Sequence, residues 1–279
     1  MSTAHSTKDS LLNQANDTST ISDKIDCYKK IIALDPHDPR AFHSLGDVYS
    51  SFDEVKSKMY WEMAVRRYSE KIESFNDSAS EYLKRSDNSE LPKIESKDVF
   101  REVGQYFYNL GEIHDNLHKY SQATDAYKKA LKMDSTQVDC LYDLAMSLFH
   151  EKKLEESKKY LLEFLSKQSS YAGHYYLGLI FAGEGCIKEA LGEFWNCIEL
   201  TQDDSVSDYY RGMSYHHVGN MKLCEKYLKL SIAKDPEDLE TIHILIKLYE
   251  SNGEGQKAYE YYEQIRSKKE TLRSMRDTM

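Results

Sequence analysis

Proline is scarce in this sequence, 4 of 279 residues, and glycine is thin at 12. Ordinary globular chains carry about 5% proline and about 7% glycine. The shortage argues against collagen-like chains, proline-rich linkers and loop-rich β-sandwiches, which need turn residues every few positions. No run of 18 or more apolar residues occurs, so no membrane-spanning helix and no membrane partner are expected. The first ten residues, MSTAHSTKDS, lack an apolar core, and a secretory signal is not expected. Basic charge is not concentrated anywhere: 37 Lys and Arg stand against 47 Asp and Glu, a net charge of −10. An acidic chain of this kind is a poor binder of phosphate backbone, and no nucleic-acid partner is expected. The five cysteines are Cys27, Cys140, Cys186, Cys197 and Cys224. Their odd number and the absence of C-x-x-C spacing read as reduced thiols, and hence as a cytoplasmic location.

What the chain has in quantity is apolar surface, 40% of residues, and tyrosine, 22 copies. It also repeats itself. Leu45-Gly46 is followed by Tyr49, and Leu177-Gly178 by Phe181. Weaker copies are Leu110-Gly111 with His114, Leu144-Ala145 with Leu148, Arg211-Gly212 with Tyr215, and Leu245-Ile246 with Tyr249. This first column, at 46, 111, 145, 178, 212 and 246, has gaps of 65, 34, 33, 34 and 34. A small-residue column follows it at Ala123, Ser157, Ala190, Cys224 and Ala258. A large apolar column runs Tyr127, Leu161, Phe194, Leu228 and Tyr262, and a fourth runs Ala130, Phe164, Cys197, Ser231 and Ile265. Two amphipathic helices and a short turn fill about 34 residues. The small column lets the two helices approach, and the large column fills the space beside it. One such hairpin cannot bury its own apolar face, so successive hairpins must stack. Cys197 and Cys224 stand in small columns and read as packing residues without a redox role.

These columns resemble the tetratricopeptide repeat family over about residues 22–270, most closely at 104–270. Arg211, Ile246 and His114 depart from the family's usual leucine, glycine and aromatic. The resemblance implies an all-α fold, a right-handed α-solenoid of stacked helix-turn-helix repeats. It implies a protein-binding scaffold whose first helices line a concave groove.

Along the chain, residues 1–20 are expected to be disordered or frayed, although Leu11, Leu12 and Ala15 could belong to a first helix. Residues 22–66 hold a degenerate opening unit and a second unit. Residues 67–96 form an insertion: an overlong helix reaching about Arg85, then a polar linker, Ser86 to Ser96. Five repeats follow at 97–266, and 267–279 is expected to be a C-terminal capping helix.

The residues give little reason to expect catalysis. His114 and His118 are four apart, but no third ligand accompanies them, and no metal is expected. His216 and His217 are adjacent and point in different directions on a helix. Gly183-Glu184-Gly185 reads as turn glycines. His216 beside Tyr209 or Tyr210 is the one acid–base pairing the sequence offers. No cofactor and no enzymatic activity are expected.

Groove positions follow from the first column. Three residues before it stand His43, Tyr108, Tyr142, Tyr175, Tyr209 and His243, all rings. With Asp143, Tyr176 and Tyr210 before the column, and Glu112, Met146, Leu179, Met213, Asp115, Phe149 and His216 after it, the groove grades from acidic to apolar. Tyrosine gives large contact area at small entropic cost and keeps a polar handle. The expected partner is a protein or peptide with apolar and basic segments. By resemblance, a clamp for the C-terminal carboxylate of chaperones would place Lys, Asn and Arg where this chain has His43, Asp47, Asn109, Asp139 and Asp143; only Asn109 fits, so such a tail is not an expected ligand. A second reading makes the chain an accessory or regulatory subunit docking through 67–96. Incomplete caps at the ends of the array would leave homo-oligomer formation open.

Overall fold

The computed structural model describes residues 2–18, 20–75, 97–201, 204–236 and 238–278. Among the described residues there are fourteen helices and no strand. They are α1 Ser2–Asp17, α2 Ile21–Leu34, α3 Pro39–Ser50, α4 Glu54–Ser74, α5 Lys97–Asn116, α6 Tyr120–Met133 and α7 Val138–His150. There follow α8 Leu154–Lys167, α9 Tyr171–Gly183, α10 Ile187–Leu200, α11 Ser205–His217, α12 Met221–Lys234, α13 Leu239–Ser251 and α14 Gly255–Thr278. They fall into two compact units, Met1–Lys152 and Lys153–Met279. In the first, α1 pairs with α2, α3 with α4 and α5 with α6; in the second, α9 pairs with α10, α11 with α12 and α13 with α14.

Helix starts are set by short polar side chains. Asp38, Asp53, Ser170, Asp204, Asn220 and Asp238 each accept a hydrogen bond from a backbone N–H of the turn they open. Each such cap stabilises its helix by about 1 kcal/mol. The turns inside the hairpins are just as regular. Among the described residues those with positive φ are His118 (56°), Lys152 (65°), Gly185 (78°), Gly219 (81°) and Gly253 (75°), one in each hairpin turn from α5–α6 onward. The next N–H reaches back to close the helix end: Lys119 to His114 O at 2.8 Å, Cys186 to Phe181 O at 2.9 Å, Asn220 to Tyr215 O at 2.8 Å and Glu254 to Tyr249 O at 2.8 Å. This is the left-handed closure that glycine makes without a steric penalty. Lys152→Gly should therefore raise the unfolding free energy by about 0.5–1 kcal/mol. The check is a urea midpoint that rises at constant slope; a midpoint that stays or falls would show that lysine holds this conformation without cost.

Between the paired helices, small faces large. A Cβ built on Gly46 would lie 2.2 Å from Trp61, on Gly111 2.3 Å from Tyr127, on Gly178 2.8 Å from Phe194 and on Gly212 3.1 Å from Leu228. One residue fewer separates Gly46 from Trp61 than separates the other pairs, so the α3–α4 hairpin is one residue shorter. In the last hairpin Ile246 fills the small position itself, and Tyr262 is 46% exposed, its hydroxyl donating to Glu250 at 2.9 Å. Tyr262 is thus displaced from the buried column in which its spacing had put it. Cys197 and Cys224 are buried, and burial pushes both thiols up to about 11, which suits packing and not reactivity.

Two segments differ from the sequence expectation. Ser2–Asp17, expected to be disordered or frayed within 1–20, is helical because Leu11, Leu12 and Ala15 pack on the cluster of Ile25, Tyr28 and Ile31. Lys8 anchors it with ion pairs to Asp35 at 2.7 Å and Asp38 at 3.2 Å. At the other end, 267–279 is not a separate helix: α14 runs unbroken from Gly255 to Thr278. The side chains on which its capping role would rest lie outside the described residues. The expected helix beyond Ser74, and the linker 86–96, also lie outside them.

Candidate functional site

The first unit gathers carboxylates. Tyr108, Glu112 and Asp115 recur at helical spacing on one face of α5, and Asp143 and Ser147 do so on α7. Tyr108 donates to Asp143 Oδ2 at 2.7 Å. Asp115 accepts from Ser147 Oγ at 2.7 Å and from the Tyr127 hydroxyl at 3.1 Å. Burial pushes Glu112 up to about 7, with the charges of Asp143, Asp47 and Asp115 adding to it. Burial likewise pushes Asp115 and Asp143 up to about 6, against the hydrogen bonds they accept. A cleft of about 430 Å³ opens beside Glu112, lined also by Arg40, His43, Asp47, Asn109 and Asn116. Arg40 is held by Asp38, through bonds of 3.0 and 2.7 Å. Tyr142, Met146 and Phe149 are half-buried on α7.

In the second unit the rings gather. Tyr210 meets Tyr175 at 5.2 Å, Tyr209 at 5.2 Å, Tyr171 at 5.4 Å and Tyr176 at 6.3 Å between centroids, mostly edge to face. Edge-to-face packing is the favoured geometry of aromatic quadrupoles, worth about 0.5–1.5 kcal/mol a pair beyond burial. Leu179 and Met213 pack on the same cluster. Tyr176, Tyr209 and Tyr210 keep part of their surface open.

Tyr175 does not. It is 5% exposed, wedged between Tyr176, Phe194 at 6.0 Å and His217 at 5.9 Å. The expectation that it lines an open groove is corrected: it is a core ring that holds the open tyrosines in place. Phe194 and His217 stack at 4.6 Å behind it. Exposed His216 meets His217 edge to face at 5.4 Å. Sequence spacing missed Tyr171, although it stands one helical turn before Tyr175, because it lies outside the first-helix columns. It also missed the support of Tyr127 and Ser147 for the carboxylates.

Among the described residues, no group of three or more His, Cys, Asp or Glu is placed to hold a metal ion. No helix among them is long and apolar enough to cross a membrane.

Residues 104–137 match the family model described as the tetratricopeptide repeat. A TPR repeat-containing protein of Methanocaldococcus jannaschii is 25% identical over 257 residues, which cover 85% of this chain and 45% of that protein. The chain thus spans less than half the length of this relative. Among solved structures, pilF of Pseudomonas aeruginosa is similar with a TM-score of 0.53 at 13% identity, over 88% of this chain and 99% of its own. A thermophilic TPR protein of Thermus thermophilus is similar with a TM-score of 0.52 at 20% identity, over 63% of this chain and 97% of its own. Both likenesses show the all-α fold of paired helices. The repeat is generally a non-catalytic fold that binds peptides or proteins. Small-against-large columns and left-handed turns at the same interval agree with the family match: residues 104–137 match a tetratricopeptide repeat, and the chain as a whole is similar to proteins built from that repeat.

Proposed function

We propose that the protein is a non-catalytic scaffold that holds a peptide or helix of another chain on the first-helix faces of its repeats. The observation that carries this reading is the half-buried carboxylate cluster Glu112, Asp115 and Asp143, in which the leading charges acting on Glu112 are those of other acids. Such a cluster is relieved by an incoming cation, so the first unit favours a basic segment and disfavours a C-terminal carboxylate. In the second unit, Tyr176, Leu179, Tyr209, Tyr210 and Met213 offer an apolar anchor with polar hydroxyl tips. The singly placed cysteines, four of them buried, fit a cytoplasmic setting.

The test is an array of random-sequence peptides probed with the full chain. Lys- and Arg-rich sequences with a Leu, Phe or Met anchor should be enriched. Glu112→Gln with Asp143→Asn should remove the preference for basic residues, and Tyr209→Ala with Tyr210→Ala should weaken capture by about tenfold or more. Enrichment of acidic sequences, or equal capture by both variants at unchanged helicity, would refute the reading.

A further inference from the structure

The two tryptophans have opposite surroundings. Trp61 is buried and donates its indole N–H to Asp47 at 2.9 Å. Trp195, on α10, is 49% exposed, its ring meeting Tyr215 edge-on at 6.2 Å, and its N–H has no acceptor among the described residues. Leu191 and Ile187 are exposed one and two turns before it. Beside them stands a glycine without an internal purpose. Gly46, Gly111, Gly178 and Gly212 face a large side chain, and Gly185, Gly219 and Gly253 need positive φ. Gly192 does neither: it lies in the middle of α10, exposed, and an added Cβ would meet nothing within 4 Å. A glycine there costs its helix about 1 kcal/mol relative to alanine. The notch it leaves beside a protruding indole is a complementary pair of shapes carried by one helix.

Charge follows the same pattern. At 100° per residue, Lys188, Gly192, Trp195 and Glu199 share one sector about 60° wide. Lys188 and Glu199 are exposed. Two copies of α10 laid antiparallel about a twofold axis between Glu193 and Phe194 bring position 188 opposite 199 and position 192 opposite 195. An isologous contact repeats each pairing twice. We propose that this face of α10 joins two copies of the chain, the indole of Trp195 in each seated on Gly192 of the other and Lys188 in each paired with Glu199 of the other. The occupant is a second copy because the knob, the notch and both charges that fit them are on this one surface. A contact of one helix face is small, so the dimer belongs to the micromolar range, with Kd about 1–100 µM.

Sedimentation velocity of the full chain across that range of concentration tests it. A reversible monomer–dimer equilibrium is expected. Trp195→Ala should weaken it by about tenfold or more. Gly192→Gln fills the notch while improving the helix, so it should raise the thermal midpoint and yet weaken the dimer by about tenfold. That combination separates loss of the contact from loss of the fold. Lys188→Glu should weaken association, and adding Glu199→Lys should restore it. A chain that stays monomeric throughout, or a dimer whose dissociation constant ignores both Trp195→Ala and Gly192→Gln, overturns the proposal.

Discussion

Gly111→Ala is expected to destabilise the first unit by about 1–3 kcal/mol, the usual cost of an extra carbon in a filled core. The new Cβ would stand 2.3, 2.5 and 2.7 Å from Cε1, Cδ1 and Cζ of Tyr127. The ring cannot swing aside: it is 1% exposed and its hydroxyl is tied to Asp115. Either α5 and α6 separate or the aromatic leaves its rotamer, and both forfeit packing. Gly183→Ala is the matched control, since a Cβ there meets nothing within 4 Å. Urea unfolding followed by circular dichroism reads both. Equal midpoints for the two variants would mean that the helices of this pair have room they do not show. Because repeat proteins transmit strain mainly to nearest neighbours, the loss should first appear as an early transition of part of the helical signal.

The carboxylate cluster leads to the second large effect. Glu112, Asp115 and Asp143 hold their protons more tightly folded than unfolded, at about 7, 6 and 6. A raised folded value contributes stability that is fully present below the ordinary carboxylate range and is lost as pH rises through 6 to 7. The chain should thus be more stable at about pH 5.5 than at about pH 8 by the part due to these groups, on the order of 2–4 kcal/mol after allowing for their mutual coupling. His43 and His114, whose values burial lowers, act with the opposite sign and lose stability as pH falls. The comparison that isolates the acids is wild type against Glu112→Gln with Asp143→Asn. The variant should gain stability at the alkaline end and little at the acid end. Parallel pH profiles for the two proteins would sink the assignment.

The repeat was readable because its physics is local. Gly111 and Tyr127, or Gly178 and Phe194, stand at fixed separations, and the clash a Cβ would cause is the reason the small residue recurs. The acidic face was readable for the same reason, since Glu112 and Asp115 follow Gly111 on one helix. What escaped depends on neighbours distant in sequence. Tyr175 looks like any other ring three residues before the column, and it is Phe194, Tyr210 and His217, from later helices, that close over it. The helix Ser2–Asp17 is weakly apolar by itself and is held by α2. His118 and Lys152 adopt the conformation of their glycine counterparts without being glycine, so composition could not mark them.

The pairing of Gly46 with Trp61, Gly111 with Tyr127, Gly178 with Phe194 and Gly212 with Leu228 also bears on kinetics. Every one of these tight contacts joins positions about a hairpin apart, so little loop entropy opposes it, and chains of low contact order fold in microseconds to milliseconds. Each helix pair can therefore form its own contacts as it leaves the ribosome, at about 5–20 residues per second, and is held in place once the following pair stacks on it.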